Sequence, residues 1–539
     1  MTDISTSSAT GERNPVAVAG PRTAADAVTP ELVARLVKAI VTGEQPTLAQ
    51  SRNPFTGEVL AEIPESTPQD VATAFVRARA AQRDWARRPV RERAAVLLRF
   101  HDLLFAAQAE LLDLVQSETG KTRGHAFEEV TAAAVEARHY GRAAARYLKP
   151  RRRGGAFPVL TQVHELRQPK GVIGQISPWN YPLALFVGDA LPAFVAGNAV
   201  VTKPDTQTAL TALRARELMV EAGLPAEVWQ IVIGDGPVVG PEVVAHADYV
   251  SFTGSTRTGR DVAQRAAARL IGASMELGGK NAMLVLADAD LDKAAEGAVR
   301  ACFSSAGQLC ISIERLYVAR EIADAFLERF AARTRAMRLG NTLAWGADMG
   351  SLVAQRQLDT VTRHVEEAVK NGARVLAGGQ ARPDVGPLFF EPTILDGVDP
   401  SSAVCTEETF GPVVSVYRFD SEDEAVAEAN GTPYGLNSSV WSKNPRHGAQ
   451  VAARLHSGTV NVNEGYAPAY ASVAAPMGGM GDSGVGRRHG SEGILKYTEP
   501  QTVAVQKLVS MAPSFGMDDE AYAKLLTRAL GVMKALRLK

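Results

Sequence analysis

Cysteine is scarce: the 539 residues hold three, Cys302, Cys310 and Cys405, and no CxxC pair. That excludes a disulfide scaffold, removes the usual zinc signature and fits a reducing, cytoplasmic setting. Charge of one sign is also lacking. With 58 basic and 59 acidic side chains the formal net charge is −1, so nothing electrostatic recruits nucleic acid. No basic stretch followed by an apolar core opens the chain. Residues 1–30, rich in Ala, Thr, Ser, Gly and Pro, read as a flexible tail. The longest apolar run, residues 182–201, is interrupted by Asp189, Pro192 and Asn198, each costly in hydrocarbon. It predicts a buried helix followed by a strand. There is no internal repeat, and the nine histidines lack metal-ligand spacing. Gly120-Lys121-Thr122 has the ending of a phosphate loop, but the position that needs the first glycine is Val115.

The length requires at least two domains, and 46% hydrophobic with 22% charged residues is the composition of an ordinary globular protein. Apolar residues at three- and four-residue spacing predict amphipathic helices in 69–84 and 91–119. From Gly171 the pattern alternates. Short strands in 171–180, 197–204, 228–234 and 249–254 are separated by helical stretches, the signature of a doubly wound parallel sheet. Further helices are predicted in 292–303, 321–337 and 358–371.

Gly234, Gly236 and Gly240 follow one strand and open a helix, where backbone N–H groups can meet a dinucleotide phosphate. Their spacing departs from the usual fingerprint, and a plain turn is the equal alternative. Phe252-Thr253-Gly254-Ser255 follows the next strand in the same way. Taken alone, each cysteine reads as a small buried hydrophobe. Cys310 stands apart because of its setting, Gly307-Gln308-Leu309-Cys310, downstream of Glu276 in ELGGKN.

Eight segments in order, SPWNYP (177–182), GNAVVTKP (197–204), FTGST (252–256), ELGGKN (276–281), GQLC (307–310), EETFGP (407–412), YGLNSSVW (434–441) and PMGG (476–479), resemble the NAD(P)-dependent aldehyde dehydrogenase superfamily over roughly residues 50–505. Several are similar to its actinobacterial second-type succinate-semialdehyde branch. The resemblance implies an α/β fold with a Rossmann-type doubly wound cofactor domain (31–285, including an oligomerisation segment near 150–168), an α/β catalytic domain (286–480), a return to the cofactor domain with an oligomerisation strand (481–508), and a homodimer or homotetramer. It makes Cys310 the nucleophile, Glu276 the general base and Asn180 an oxyanion donor, acting on a small-molecule aldehyde. Around the cofactor it implies Ser177, Pro178, Trp179, Lys203, Thr206, Gly236, Gly240, Phe252, Gly254, Ser255, Leu277, Glu408 and Phe410, and no metal.

Thr206 occupies a position that commonly carries Glu in NAD-preferring members, which favours NADP and leaves NAD as the alternative. Ser305 replaces a common Asn and is expected to loosen the loop that holds Cys310. Gly188 and Ser304 stand where succinate-semialdehyde dehydrogenases carry two carboxylate-binding arginines. The overall likeness makes succinic semialdehyde the expected substrate, while these two positions leave uncharged aldehydes as the alternative, with a CoA-acylating reaction less favoured. In the extension at 509–539, Tyr522, Leu526, Leu530, Met533 and Leu536 share one helical stripe. Packing on its own subunit or on a neighbour is the preferred reading, and membrane contact is disfavoured.

Overall fold

The alternation that begins at Gly171 folds into a six-stranded sheet. In the computed structural model, which describes residues 13–17, 20, 22–157, 160–507 and 510–537, Val172–Ile176 lies inside this sheet. Ala199–Lys203 and Trp229–Ile231 add on one side, and Tyr249–Thr253 and Gly272–Glu276 on the other, all parallel. Strand order therefore reverses at Val172–Ile176. The chains leaving Ile176 and Thr253 part at their carboxyl ends and open the crevice in which doubly wound sheets take ligands. The interrupted apolar run is a helix, Ala184–Ala196, with every residue buried, followed by the buried strand Ala199–Lys203.

A second sheet of seven strands runs Arg374–Ala377, Thr393–Asp396, Val413–Phe419, Ile313–Ala319, Asn281–Val285, Asn437–Trp441 and Thr459–Val462. Asn281–Val285 pairs with Ile313–Ala319 and Asn437–Trp441. A boundary at residue 285 is thus too late, because the chain changes sheets between Glu276 and Asn281. After the glycine-rich tract, Gly484–Val485 returns to pair antiparallel with Gly272–Glu276. Thr498–Gln506 forms a nine-residue antiparallel ladder with Thr161–Pro169, which also pairs with Arg151–Arg153.

Spacing marks the helical stretch 91–119 but neither its break at Ala107 nor the helix that follows it. The stretch 91–119 is two helices, Val90–Ala106 and Gln108–Thr119, and a 26-residue helix, Arg123–Leu148, follows. Gly120, at φ 73°, ends one helix in the left-handed region that glycine tolerates, and Thr122 caps the next. The Gly-Lys-Thr triplet is thus a helix junction.

Both termini differ from expectation. The tail is not free as far as residue 30: Asn14 is buried and its amide donates to the carbonyls of Thr334, Arg335 and Met337, and Ala24–Ala27 is a capped helix turn. Residues 1–12 lie outside the described residues. The extension does form a helix, Asp519–Ala535, but none of its residues is buried, and Leu530 and Leu536 of the stripe are exposed. Burial of the stripe on its own subunit is therefore not found. Among the described residues no helix is long and apolar enough to cross a membrane.

Candidate active site

Cys310 is held at the end of a contorted loop. Ser305, Ala306 and Gly307 take consecutive left-handed conformations, φ 50°, 55° and 69°. A Cβ on Gly307 would lie 2.0 Å from the Gly411 carbonyl, so only glycine fits there. The Gln308 side chain accepts from the Val353 N–H and donates to the Ser305 and Ser351 carbonyls. Three amides then grip carbonyls on either side of Leu309. Asn180 Nδ2 donates to Gln308 (3.0 Å), Asn281 Nδ2 to Cys310 (2.8 Å) and Asn437 Nδ2 to Ile311 (2.9 Å). Ser305 does not loosen this loop: its hydroxyl bonds the Tyr181 hydroxyl at 3.0 Å and its N–H donates to His125 Nδ1. Of the clamping residues, Asn281 and Asn437 carried no site assignment from sequence. They sit in the quoted ELGGKN and YGLNSSVW segments, but their role depends on the fold.

Asn180 is fixed from both ends, because its backbone carbonyl accepts from the Lys121 ammonium at 2.7 Å. That ammonium is buried, pairs with Glu129 at 2.6 Å and lies 3.6 Å over the Tyr181 ring. Lys121, whose motif was set aside as a false phosphate loop, thus positions a site residue.

Glu276 ends the strand Gly272–Glu276 and is 7% exposed. Burial pushes its carboxyl up to about 7 against the opposing pull of Arg488 and Lys496. Its Oε1 is enclosed, with no partner among the described residues, beside Gly478, where a Cβ would come within 2.9 Å. Burial, with Glu408 and Glu276 nearby, pushes the Cys310 thiol up to about 12. Cys302 is fully buried in the helix Leu291–Phe303.

Two cavities meet at these residues. One, of about 290 Å³, is lined by Asn180, Glu276 and Cys310 with Phe127, Tyr181, Tyr466 and Tyr470. The other, of about 260 Å³, is lined by the same three with Pro178, Trp179, Gly254, Ser255, Leu277, Glu408 and Phe410. Glu408 leans over Gly278, where a Cβ would stand 2.3 Å from its Oε2, and accepts from the Gly279 N–H. Phe410, at φ 51°, meets Trp179 edge-on at 5.5 Å. Its strained turn is held by Glu314, which accepts from the Thr409 and Phe410 N–H groups.

The other proposed cofactor residues stand outside this second cavity. Ser177 donates its N–H to the Lys203 carbonyl across adjacent strand ends. Thr206 starts a short turn capped by Asp205. Gly236 opens the helix Gly236–His246, which contains Gly240, and the Phe252 ring packs under Gly254. The Lys203 side chain is buried, yet among the described residues its ammonium donates only to the Pro204 carbonyl. A buried cation with N–H groups to spare at the switch-point crevice fits a ligand rich in hydroxyl or phosphate oxygens. Ser255 caps the helix Thr256–Ala268, whose N-terminus adds aligned donors. The residues present therefore fit a dinucleotide.

Residues 40–503 match the aldehyde dehydrogenase family. The chain belongs to that family. Aldehyde oxidation is the reaction class this brings. A protein of Mycolicibacterium smegmatis provisionally named succinate-semialdehyde dehydrogenase (NADP+) is 52% identical over 482 residues, 89% of this chain and 93% of its own. A crystal structure of an Escherichia coli NADP-dependent enzyme is similar at TM-score 0.83 and 33% identity, covering 87% and 98% of the two chains. Betaine aldehyde dehydrogenase of Staphylococcus aureus in complex with NAD+ is similar at TM-score 0.83 and 29% identity, covering 90% and 100%.

Proposed function

We propose that the chain oxidises an aldehyde to its carboxylic acid with NAD(P), through a thiohemiacetal and then a thioester on Cys310. The observation that carries this is the seat of Cys310 between the two cavities, with Asn180 and Glu276 lining both. One cavity is suited to the aldehyde and the other to the nicotinamide.

The thiol adds to the aldehyde carbon. Passing its proton from a group near 12 to a carboxylate near 7 costs about 7 kcal/mol, so proton removal accompanies carbon–sulfur bond formation. The alkoxide that develops is met by the Asn180 amide and the Cys310 N–H, which donates to no other described residue. When bound, the nicotinamide supplies the hydride acceptor. Lys203 and Glu408 would hold the cofactor's ribose hydroxyls, and Trp179 and Phe410 would line the space for its ring. Glu276 then takes a proton from the water that attacks the thioester, at a pKa suited to neutral pH. This base favours hydrolysis over transfer to a thiol.

Succinic semialdehyde with NADP is the preferred pair. Support comes from the names of the mycobacterial relatives and from the absence of a carboxylate at Thr206. The ladder of Thr498–Gln506 with Thr161–Pro169 leaves Val503 and Val505 exposed, which supports its use between subunits of a homo-oligomer. NADPH formation from succinic semialdehyde tests the reading: it should be seen without CoA and be lost in Cys310→Ala. Turnover that requires CoA would overturn hydrolysis.

A further inference from the structure

Gly188 and Ser304 stand where the resemblance to succinate-semialdehyde dehydrogenases leads one to expect two carboxylate-binding arginines. The space beside Gly188 is already taken, since a Cβ there would lie 3.0 Å from Glu136 Oε2 on the neighbouring helix. A different cation lines the aldehyde cavity. Arg488, from the glycine-rich tract, is 8% exposed and reaches the wall shared with Cys310 and Glu276. Its Nη2 donates to Asp189 (2.6 Å) and to Thr253 Oγ1, whereas its Nη1 makes no hydrogen bond among the described residues.

Asp189 does not cancel this charge. The same carboxylate also pairs with Lys496 at 3.0 Å and accepts from the Tyr497 hydroxyl at 3.0 Å. One carboxylate thus serves two cations, and while Glu276 beside them is protonated a positive charge is left over at the cavity. Glu136, which lines the cavity without a hydrogen-bond partner among the described residues, is pushed up to about 8 by burial and by Asp189. At neutral pH it is mostly protonated, so it is a donor toward an incoming anion. Uncompensated positive charge, a free guanidinium nitrogen and a carboxylic acid at the wall of one cavity are the components of a carboxylate site.

We infer that Arg488 binds the distal carboxylate of an anionic aldehyde such as succinic semialdehyde, in place of the missing arginine pair. The inference rests on the reading of Cys310 as the group that meets the aldehyde. It makes Arg488 a specificity residue, and Asp189 and Lys496 the groups that position and charge it. Removing the guanidinium does not strand Asp189, which keeps Lys496 and Tyr497.

The test compares kcat/KM of wild type, Arg488→Met and Arg488→Lys on succinic semialdehyde and on butanal, an uncharged aldehyde of equal carbon number. Arg488→Met should lose about 30-fold more in kcat/KM on succinic semialdehyde than on butanal, chiefly in KM, the loss common to both substrates being that of Arg488's pull on Glu276. Arg488→Lys should recover part of the loss. Equal losses on both substrates, or none on either, overturn the assignment. A wild type that oxidises butanal but not succinic semialdehyde overturns it while aldehyde oxidation stands. One that oxidises neither overturns aldehyde oxidation and the assignment with it. A readout that needs no variant uses wild-type protein alkylated at Cys310 by iodoacetamide. Succinate should slow the reaction and butanamide should not, and equal effects or none overturn the assignment.

Discussion

Replacing Glu276 by Gln should make the protein more stable and less active at once. Burial lifts this carboxyl from 4.5 to about 7. In the unfolded chain the proton leaves near 4.5, and in the native protein it stays until about 7. The native state therefore binds more protons between these values, and stability falls as pH rises through that window. The penalty is absent below pH 4.5 and complete above about pH 7, where a shift of this size costs about 3 kcal/mol. Glutamine has the same shape and no charge to desolvate. Thermal unfolding at pH 8 should then give Glu276→Gln the higher Tm, and at pH 4.5 the two proteins should coincide. The same change removes the base that activates water, so steady-state turnover should fall by about 10²-fold or more. Stopped-flow absorbance should still show a burst of reduced cofactor close to one per active site, because deacylation is slowed more than acylation; the burst should be slower than in wild type, since the Cys310 proton must then go to solvent. Equal Tm values at pH 8 would refute the burial argument, and normal turnover at neutral pH would show that another group acts as base.

Wild-type kcat should rise with pH through about 7 as Glu276 loses its proton, and a flat profile from pH 6 to 8 would contradict the assigned base. Cys310→Ala should abolish oxidation while cofactor affinity, measured by fluorescence titration, stays within about twofold; Cys302→Ala, buried in its helix, should leave kcat nearly unchanged. Gly307→Ala would drive a methyl into the Gly411 carbonyl at φ 69°, so kcat should fall by about 10²-fold from misplacement of Cys310, with Tm also lowered. Thr206→Glu should shift the kcat/KM ratio toward NAD by about tenfold, since a carboxylate near a 2′-phosphate costs about 1 to 4 kcal/mol. A wild type indifferent to NADP would remove the premise.

Local patterns were enough to read four strands of the cofactor sheet, because each ends near a Gly, Pro or Ser turn and the helices that follow them are apolar, as in Ala184–Ala196, or amphipathic, as in Thr256–Ala268. The strand Gly272–Glu276 was harder to read: GASME has neither β-branched residues nor alternation, and it becomes a strand by adding to Tyr249–Thr253. The helix Arg123–Leu148 carries Gly124 and Gly141, and Gly141 is there because Leu98 of a neighbouring helix would meet a Cβ at 2.7 Å. Tertiary packing overrode propensity in both cases. Within the site, the thiol and its base were visible through motifs. Their supports were not, since they join residues far apart in sequence: Lys121 with Asn180, Asn437 with Ile311, Arg488 with Asp189. Arg488 illustrates the limit well. In sequence it is one basic residue in RRH, and only the fold sets it beside Asp189, Lys496 and Glu276.

The central claim is that the aldehyde carbon becomes bonded to Cys310. Glu276→Gln, given succinic semialdehyde and NADP and quenched in acid after the burst, should retain an acyl group that peptide mass spectrometry finds on the Cys310 peptide alone. Protein that remains unmodified after reduced cofactor has formed, or that carries the acyl group on Cys302 or Cys405, would contradict the account.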